Sequence, residues 1–203
     1  MNVRIAGRTA AACVAAVAWI GLAVQCLALY EQNSSILLTF WVVLGFFTIT
    51  TNIFVAAVFT GIAANRTMLR SDGMLGGAML SIVLVGVIYT LLLHGLTELS
   101  GGSAVANVLL HMVTPVVVPL FWIFFARKGG LTWRHPLLWA IYPLAYLAYA
   151  LVRGAATGKY AYPFINVNQL GWGQTALNAV VIAVGFMLCG FAVVWVDRRV
   201  GAI

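Results

Sequence analysis

The sequence predicts an all-α membrane protein: a six-transmembrane-helix bundle with both termini cytoplasmic and a folded outer loop between helices 5 and 6. Three observations predict it. Of 203 residues, 64% are apolar and 7% charged, and mean hydropathy is +1.05, more apolar surface than a soluble fold of this length buries. Uncharged stretches recur at close to the ~20 residues that cross the hydrocarbon core as a helix. The basic residues sit between those stretches, nearly all on one side.

The predicted helices run over about 9–30, 36–62, 74–94, 104–126, 136–152 and 174–196, within one transmembrane domain of residues 1–203. The first follows Arg4 and Arg8 and is too long for the apolar core of a signal peptide, with no small-x-small cleavage site after it. It is read as a retained helix. Strands are excluded because the apolar runs are continuous, without the alternation of a membrane barrel, and an open sheet edge in lipid leaves backbone groups unpaired.

Orientation follows from the loops. Arg4, Arg8, Arg66, Arg70, Arg127, Lys128, Arg134, Arg198 and Arg199 fall on one side, and Arg153 and Lys159 on the other. By the positive-inside rule the nine mark the cytoplasm, which predicts that both termini and the 2–3 and 4–5 loops are cytoplasmic. The net charge of +7 is scattered singly or in pairs and makes no basic face, so nucleic acid is not expected as a partner. Membrane lipid is. Cys13, Cys26 and Cys189 lie inside apolar runs, without metal-ligand spacing, and are expected to be small buried hydrophobes. The outer loop, 153–173, mixes aromatics with Gly, Asn and Pro and is expected to fold back as a lid.

Polar side chains inside the spans are the functional candidates, because each is costly in lipid unless compensated. On the second helix, Thr48, Thr51 and Asn52 share one face at i, i+3 and i+4 spacing. On the fourth, Asn107, His111 and Thr114 repeat it, and Pro115 and Pro119 are expected to bend the helix just below the histidine. Tyr89 and His94 on the third helix, Tyr149 on the fifth and Asn178 on the sixth fall in the same outer half of the bilayer. A polar cavity opening toward the outer leaflet is the expectation, with Thr48 about three turns deep.

The plainer reading stands beside it. A lone Thr in a membrane helix commonly bonds its own backbone, Asn commonly joins helices, and His94 at a helix end suits a solvated interface. As chemistry, a Thr hydroxyl becomes a nucleophile when a neighbouring imidazole takes its proton, so Thr48 and His111 form the candidate pair. The spans hold no Asp or Glu to orient the histidine. Asn107, Asn178, a tyrosine or water would have to do so, and Asn52, Thr51 or a Tyr hydroxyl would have to meet an oxyanion. His135 lies across the bilayer from His94 and His111, so no metal site and no cofactor are expected.

The stretches FFTITTN, LHMVTPVVVPLFW and YAYPF, in their order and spacing, resemble the bacterial Pr6Pr membrane proteins. Those are similar in turn to the androgen-induced and androgen-dependent TFPI-regulating proteins, a family of eukaryotic six-helix proteins. The resemblance covers nearly the whole chain. It implies an intramembrane hydrolase of fatty acid esters of hydroxy fatty acids, with a threonine nucleophile and a histidine base. His111, with Pro119 eight residues on, matches the family's histidine and its proline, and Tyr162, Pro163 and Phe164 match the loop motif. The family places its Thr three residues before an Asp or Asn; here Thr48 is four before Asn52, and Thr51 is the alternative. Set against a lipid ester hydrolase are a non-catalytic transporter or lipid-binding protein, and a structural membrane protein.

Overall fold

The structure is a computed structural model that describes residues 3–66 and 71–202, with side chains from Ile5 onward. Arg70 and the side chain of Arg4, both counted toward the orientation, lie outside the described residues. No strand occurs among the described residues. The helices are α1 (Val3–Asn33), α2 (Ile36–Val43), α3 (Phe47–Ala63), α4 (Asp72–Ile88), α5 (Gly101–Val108), α6 (Thr114–Phe125), α7 (His135–Thr157) and α8 (Val167–Gly201). A π-turn, Tyr89–Leu93, extends α4, and a second, Leu109–Val113, joins α5 to α6.

Five helical stretches are long and apolar enough to cross a membrane: Ile5–Asn33, Asp72–Leu93, Gly101–Phe125, His135–Thr157 and Val167–Gly201. They are six if α2 and α3 together make one span, although these two are bent by 92° across their break. Such a set of helices is compatible with an integral membrane protein.

The break between α2 and α3 departs from the unbroken helix expected over 36–62. Asn33 Oδ1 accepts from the Ser35 amide and the Thr39 hydroxyl, at 3.0 and 3.1 Å, and Ser35 Oγ caps α2 by accepting from the Leu38 amide at 3.3 Å. At its far end the Gly45 and Phe46 amides tighten to carbonyls three residues back. Phe46 is then extended, at φ −108° and ψ 132°, and α3 starts afresh. Gly45, one of two glycines in the run with Gly61, is a poor helix former at the break, a weak signal within so apolar a stretch. The consequence is large, because Thr48 is the second residue of α3 and not a residue three turns into a long helix.

The loop expected over 153–173 is shorter, since α7 runs on to Thr157 and α8 begins at Val167, kinked at Gly171. Arg153 therefore belongs to α7, where its guanidinium donates to the Tyr149 hydroxyl one turn earlier at 2.8 Å. Cys13 and Cys189 are exposed on helix faces, so only Cys26 approaches the expected burial.

The helices gather into two compact units, residues 1–128 and 129–203. In the first, α1 packs on α3 and α5, α3 on α4, and α4 on α6. Its core includes Val55, Val58, Phe59, Ile82 and Val118, all fully buried, and the Phe59 and Phe121 rings meet edge to face at 4.9 Å. Small residues let backbones approach where they cross, as in other membrane bundles. A Cβ on Gly86 would lie 2.6 Å from Pro115 Cβ, and one on Gly21 would lie 2.6 Å from Leu110 Cδ2.

In the second unit α7 packs on α8, and the short helical turn Pro163–Ile165 packs on α8 as well. Asp197, near the C-terminal end of α8, is fully buried. Its Oδ2 accepts the Gly129 and Leu131 amides, both at 2.9 Å. A carboxylate answering two amides fixes the 129–131 segment against the end of α8.

Two outcomes follow for thermal denaturation in detergent. Asp197→Ala orphans two amides and should cost about 1–3 kcal/mol for each, with Asp197→Asn, which keeps one acceptor oxygen, falling between it and wild type. Gly86→Ala should lower stability by about 1–3 kcal/mol through overpacking on Pro115, whereas Gly185→Ala, which meets nothing within 4 Å, should leave it unchanged or raised.

Candidate functional site

Thr48 and His111 come together in the first unit. Thr48 Oγ1 stands 3.1 Å from His111 Nε2. Thr48 is 6% exposed, held in the first turn of α3, and His111 is half-buried at the centre of the second π-turn. Thr51, the alternative hydroxyl, is fully buried on the same helix, while the bond to the imidazole is made by Thr48.

Hydrogen-bond accounting favours one tautomer of the pair. With the ring proton on Nδ1, the Thr48 hydroxyl donates to bare Nε2, which is the arrangement a general base requires. With the proton on Nε2, the ring donates to Thr48, and the hydroxyl hydrogen then has no acceptor among the described residues. His111 Nδ1 is itself buried without a hydrogen-bond partner, although the Asn107 backbone, one turn earlier, lies within interaction range of the ring. No carboxylate stands behind the imidazole among the described residues.

The asparagines expected to serve chemistry are engaged elsewhere. Asn52, fully buried, donates from Nδ2 to the Thr48 carbonyl at 2.9 Å and to the Leu110 carbonyl at 3.2 Å, and its Oδ1 accepts from the Thr114 hydroxyl at 2.9 Å. Both amide hydrogens are taken, so Asn52 is no free donor to an oxyanion. Asn107 Nδ2 donates to the Tyr89 hydroxyl at 2.6 Å, so its amide orients the tyrosine and not the histidine.

Tyr89 is the hub on the other side. Its ring tilts against the His111 ring at 4.5 Å between centroids and meets exposed His94 edge-on at 5.6 Å. Its hydroxyl accepts from Asn107, and its own hydrogen goes to no acceptor among the described residues. The Thr48 backbone amide, in the first turn of α3, is likewise without an acceptor among them. These two donors remain for a developing negative charge.

An open groove of about 480 Å³ lies along α4 and the His111 turn, lined by Val83, Gly86, Val87, Thr90, Leu91, His111, Met112, Pro115 and Val116. Most of that wall is apolar, and Leu91 and Val116 are well exposed. His111 is part of the wall and Thr48 is not. The proline signal was legible in the sequence, but the backbone departs from α at the histidine itself, not below it. Thr90 was legible as a polar residue of the third predicted helix, whereas Gly86 carried no signal of its own.

The remaining candidates belong to the second unit. Asn178 Nδ2 donates to the Phe164 carbonyl at 2.9 Å, and its Oδ1 accepts from Gln174 at 2.8 Å. Tyr162 and Phe164 stack at 5.2 Å with Pro163 exposed between them, and Tyr160 lies over Gly154. The 158–166 segment is thus folded and tied down, with Tyr149 exposed and engaged by Arg153. Asp197, which the reading of the sequence passed over, was marked there only as the one acid beside the last apolar run.

Among the described residues no three His, Cys, Asp or Glu side chains gather as metal ligands. Comparison with family models, with curated proteins and with solved structures finds no match to this chain.

Proposed function

We propose that this chain is an intramembrane lipid ester hydrolase with Thr48 as nucleophile and His111 as general base. The observation that carries the reading is the 3.1 Å approach of Thr48 Oγ1 to His111 Nε2 inside an apolar bundle. The sequence resemblance to the Pr6Pr proteins and the androgen-induced hydrolase family supports it, as does the largely apolar groove that His111 helps to line. The orientation is the one the basic loops favour, with cytoplasmic termini in a bacterial inner membrane, and the substrate is a lipid ester arriving from the bilayer along that groove.

The chemistry runs as acyl transfer through threonine. The Thr48 hydroxyl attacks the ester carbonyl as Nε2 takes its proton, and the tetrahedral oxyanion is met by the Tyr89 hydroxyl and the Thr48 amide. The imidazolium returns the proton to the departing alkoxide, leaving an acyl-threonine. Water, deprotonated by the same imidazole, then releases the acid and restores the hydroxyl.

A second reading, a lipid-binding or transport protein, is favoured by a specific observation: Nδ1 has no orienting partner and Thr48 is outside the groove wall. Purified protein offered branched fatty-acid esters and a fluorophosphonate probe separates the two. The hydrolase reading expects labelling and turnover that vanish in Thr48→Ala and fall by about 10²–10⁴ in His111→Ala. Labelling that survives both substitutions overturns it, and saturable lipid binding by wild type with neither adduct nor turnover establishes the second reading instead.

A further inference from the structure

A carbonyl inside an α-helix normally accepts the amide four residues on. Around His111 that rule fails twice. The Thr114 amide donates five residues back, to Leu109, and so leaves the Leu110 carbonyl without it. Pro115 has no amide to offer the His111 carbonyl. A buried carbonyl left unanswered in apolar surroundings is unfavourable, so the turn keeps its π register only if another donor meets Leu110.

That donor comes from α3. Asn52 Nδ2 reaches the Leu110 carbonyl at 3.2 Å, and the Thr114 hydroxyl, shared with Asn52 Oδ1, reaches it at 3.1 Å. The other Asn52 hydrogen holds the Thr48 carbonyl at 2.9 Å. One buried amide therefore grips both the residue that carries the hydroxyl and the turn that carries the imidazole.

We infer that Asn52, acting with Thr114, is the positioning residue of this site: it holds the π-turn in register and thereby aims the His111 ring at Thr48. The inference rests on the reading of Thr48 and His111 as the reacting pair. Losing the extra residue of the turn rotates one side of the helix against the other by about 100°, which carries Nε2 out of reach of Oγ1. Only an amide supplies two hydrogens to two carbonyls and an acceptor to a hydroxyl from one side chain. Leucine offers none of these, and aspartate would set a carboxylate against two carbonyl oxygens.

The test reads the histidine directly. Full-length protein in lipid nanodiscs, labelled with 15N-histidine, contains His94, His111 and His135, and His111→Gln identifies the signals of His111 by their loss. Thr48→Val supplies the ring shifts of a His111 without its hydroxyl partner. Asn52→Leu and Thr114→Val should move the His111 nitrogens from the wild-type shifts toward that reference, and Thr114→Ser should restore the wild-type spectrum. The double variant should go no further than the larger single change, since both act on one carbonyl.

Wild-type shifts retained in both Asn52→Leu and Thr114→Val overturn the inference, as does a wild-type spectrum that already matches Thr48→Val. Should Asn52→Leu fail to fold, Thr114→Val preserves side-chain volume and decides alone. No ester is used in this measurement. A wild-type protein that turns over no substrate would therefore sink the hydrolase reading while the spectra still report whether Asn52 sets the ring.

Discussion

The site depends on one carbonyl. Leu110 sits where the helix running from α5 into α6 has taken in an extra residue, and its oxygen is answered by a side chain of another helix instead of by its own backbone. That exchange couples two helices through an interaction neither could make alone, because α3 has no free backbone donor at Asn52 and the π-turn has no spare amide. Burial gives the coupling its strength, since Leu110, Asn52 and Thr114 are all buried and a buried carbonyl that loses its partner is costly. Around it the small residues matter for distance: a side chain at Gly21 or Gly86 would press on Leu110 or Pro115 and hold the turn away.

From this constraint the chemistry follows. The α2–α3 break starts α3 next to the turn, so that the hydroxyl of its second residue faces an imidazole whose backbone has been shifted to meet it. The pair carries no obligatory charge, which suits a setting where ions are costly. Among the described residues no carboxylate backs the histidine, and Asn52, Thr114, Asn107 and Tyr89 satisfy one another while His111 Nδ1 goes without a partner. Of the groups around the pair, the Tyr89 hydroxyl and the Thr48 amide keep an unspent hydrogen. An open, largely apolar groove that His111 helps to line runs along α4 beside the pair.

The second unit is organised by a different interaction. Asp197 lies fully buried in α8 and is stabilised by the two amides it accepts. The segment before α8 is closed by Asn178 on the Phe164 carbonyl and by stacked Tyr162 and Phe164. The Asp197 and Asn178 contacts are tertiary hydrogen bonds to backbone, the kind that periodicity cannot announce. Composition showed the loop to be too apolar to be free; where it folds was set by which side chains could find its carbonyls.

Apolar run lengths alone located the helical stretches, because burial from water is proportional to apolar area and a span needs a set length. The i, i+3, i+4 spacing alone grouped Thr48, Thr51 and Asn52 on one face and Asn107, His111 and Thr114 on another, because helix geometry is local. Neither could say that α2 turns through 92° before α3, that the histidine occupies a π-turn, or that both hydrogens of Asn52 go to carbonyls. Those were decided by the tertiary structure. Each depends on a donor and an acceptor far apart in the chain meeting at about 3 Å, and sequence spacing carries no information about that distance.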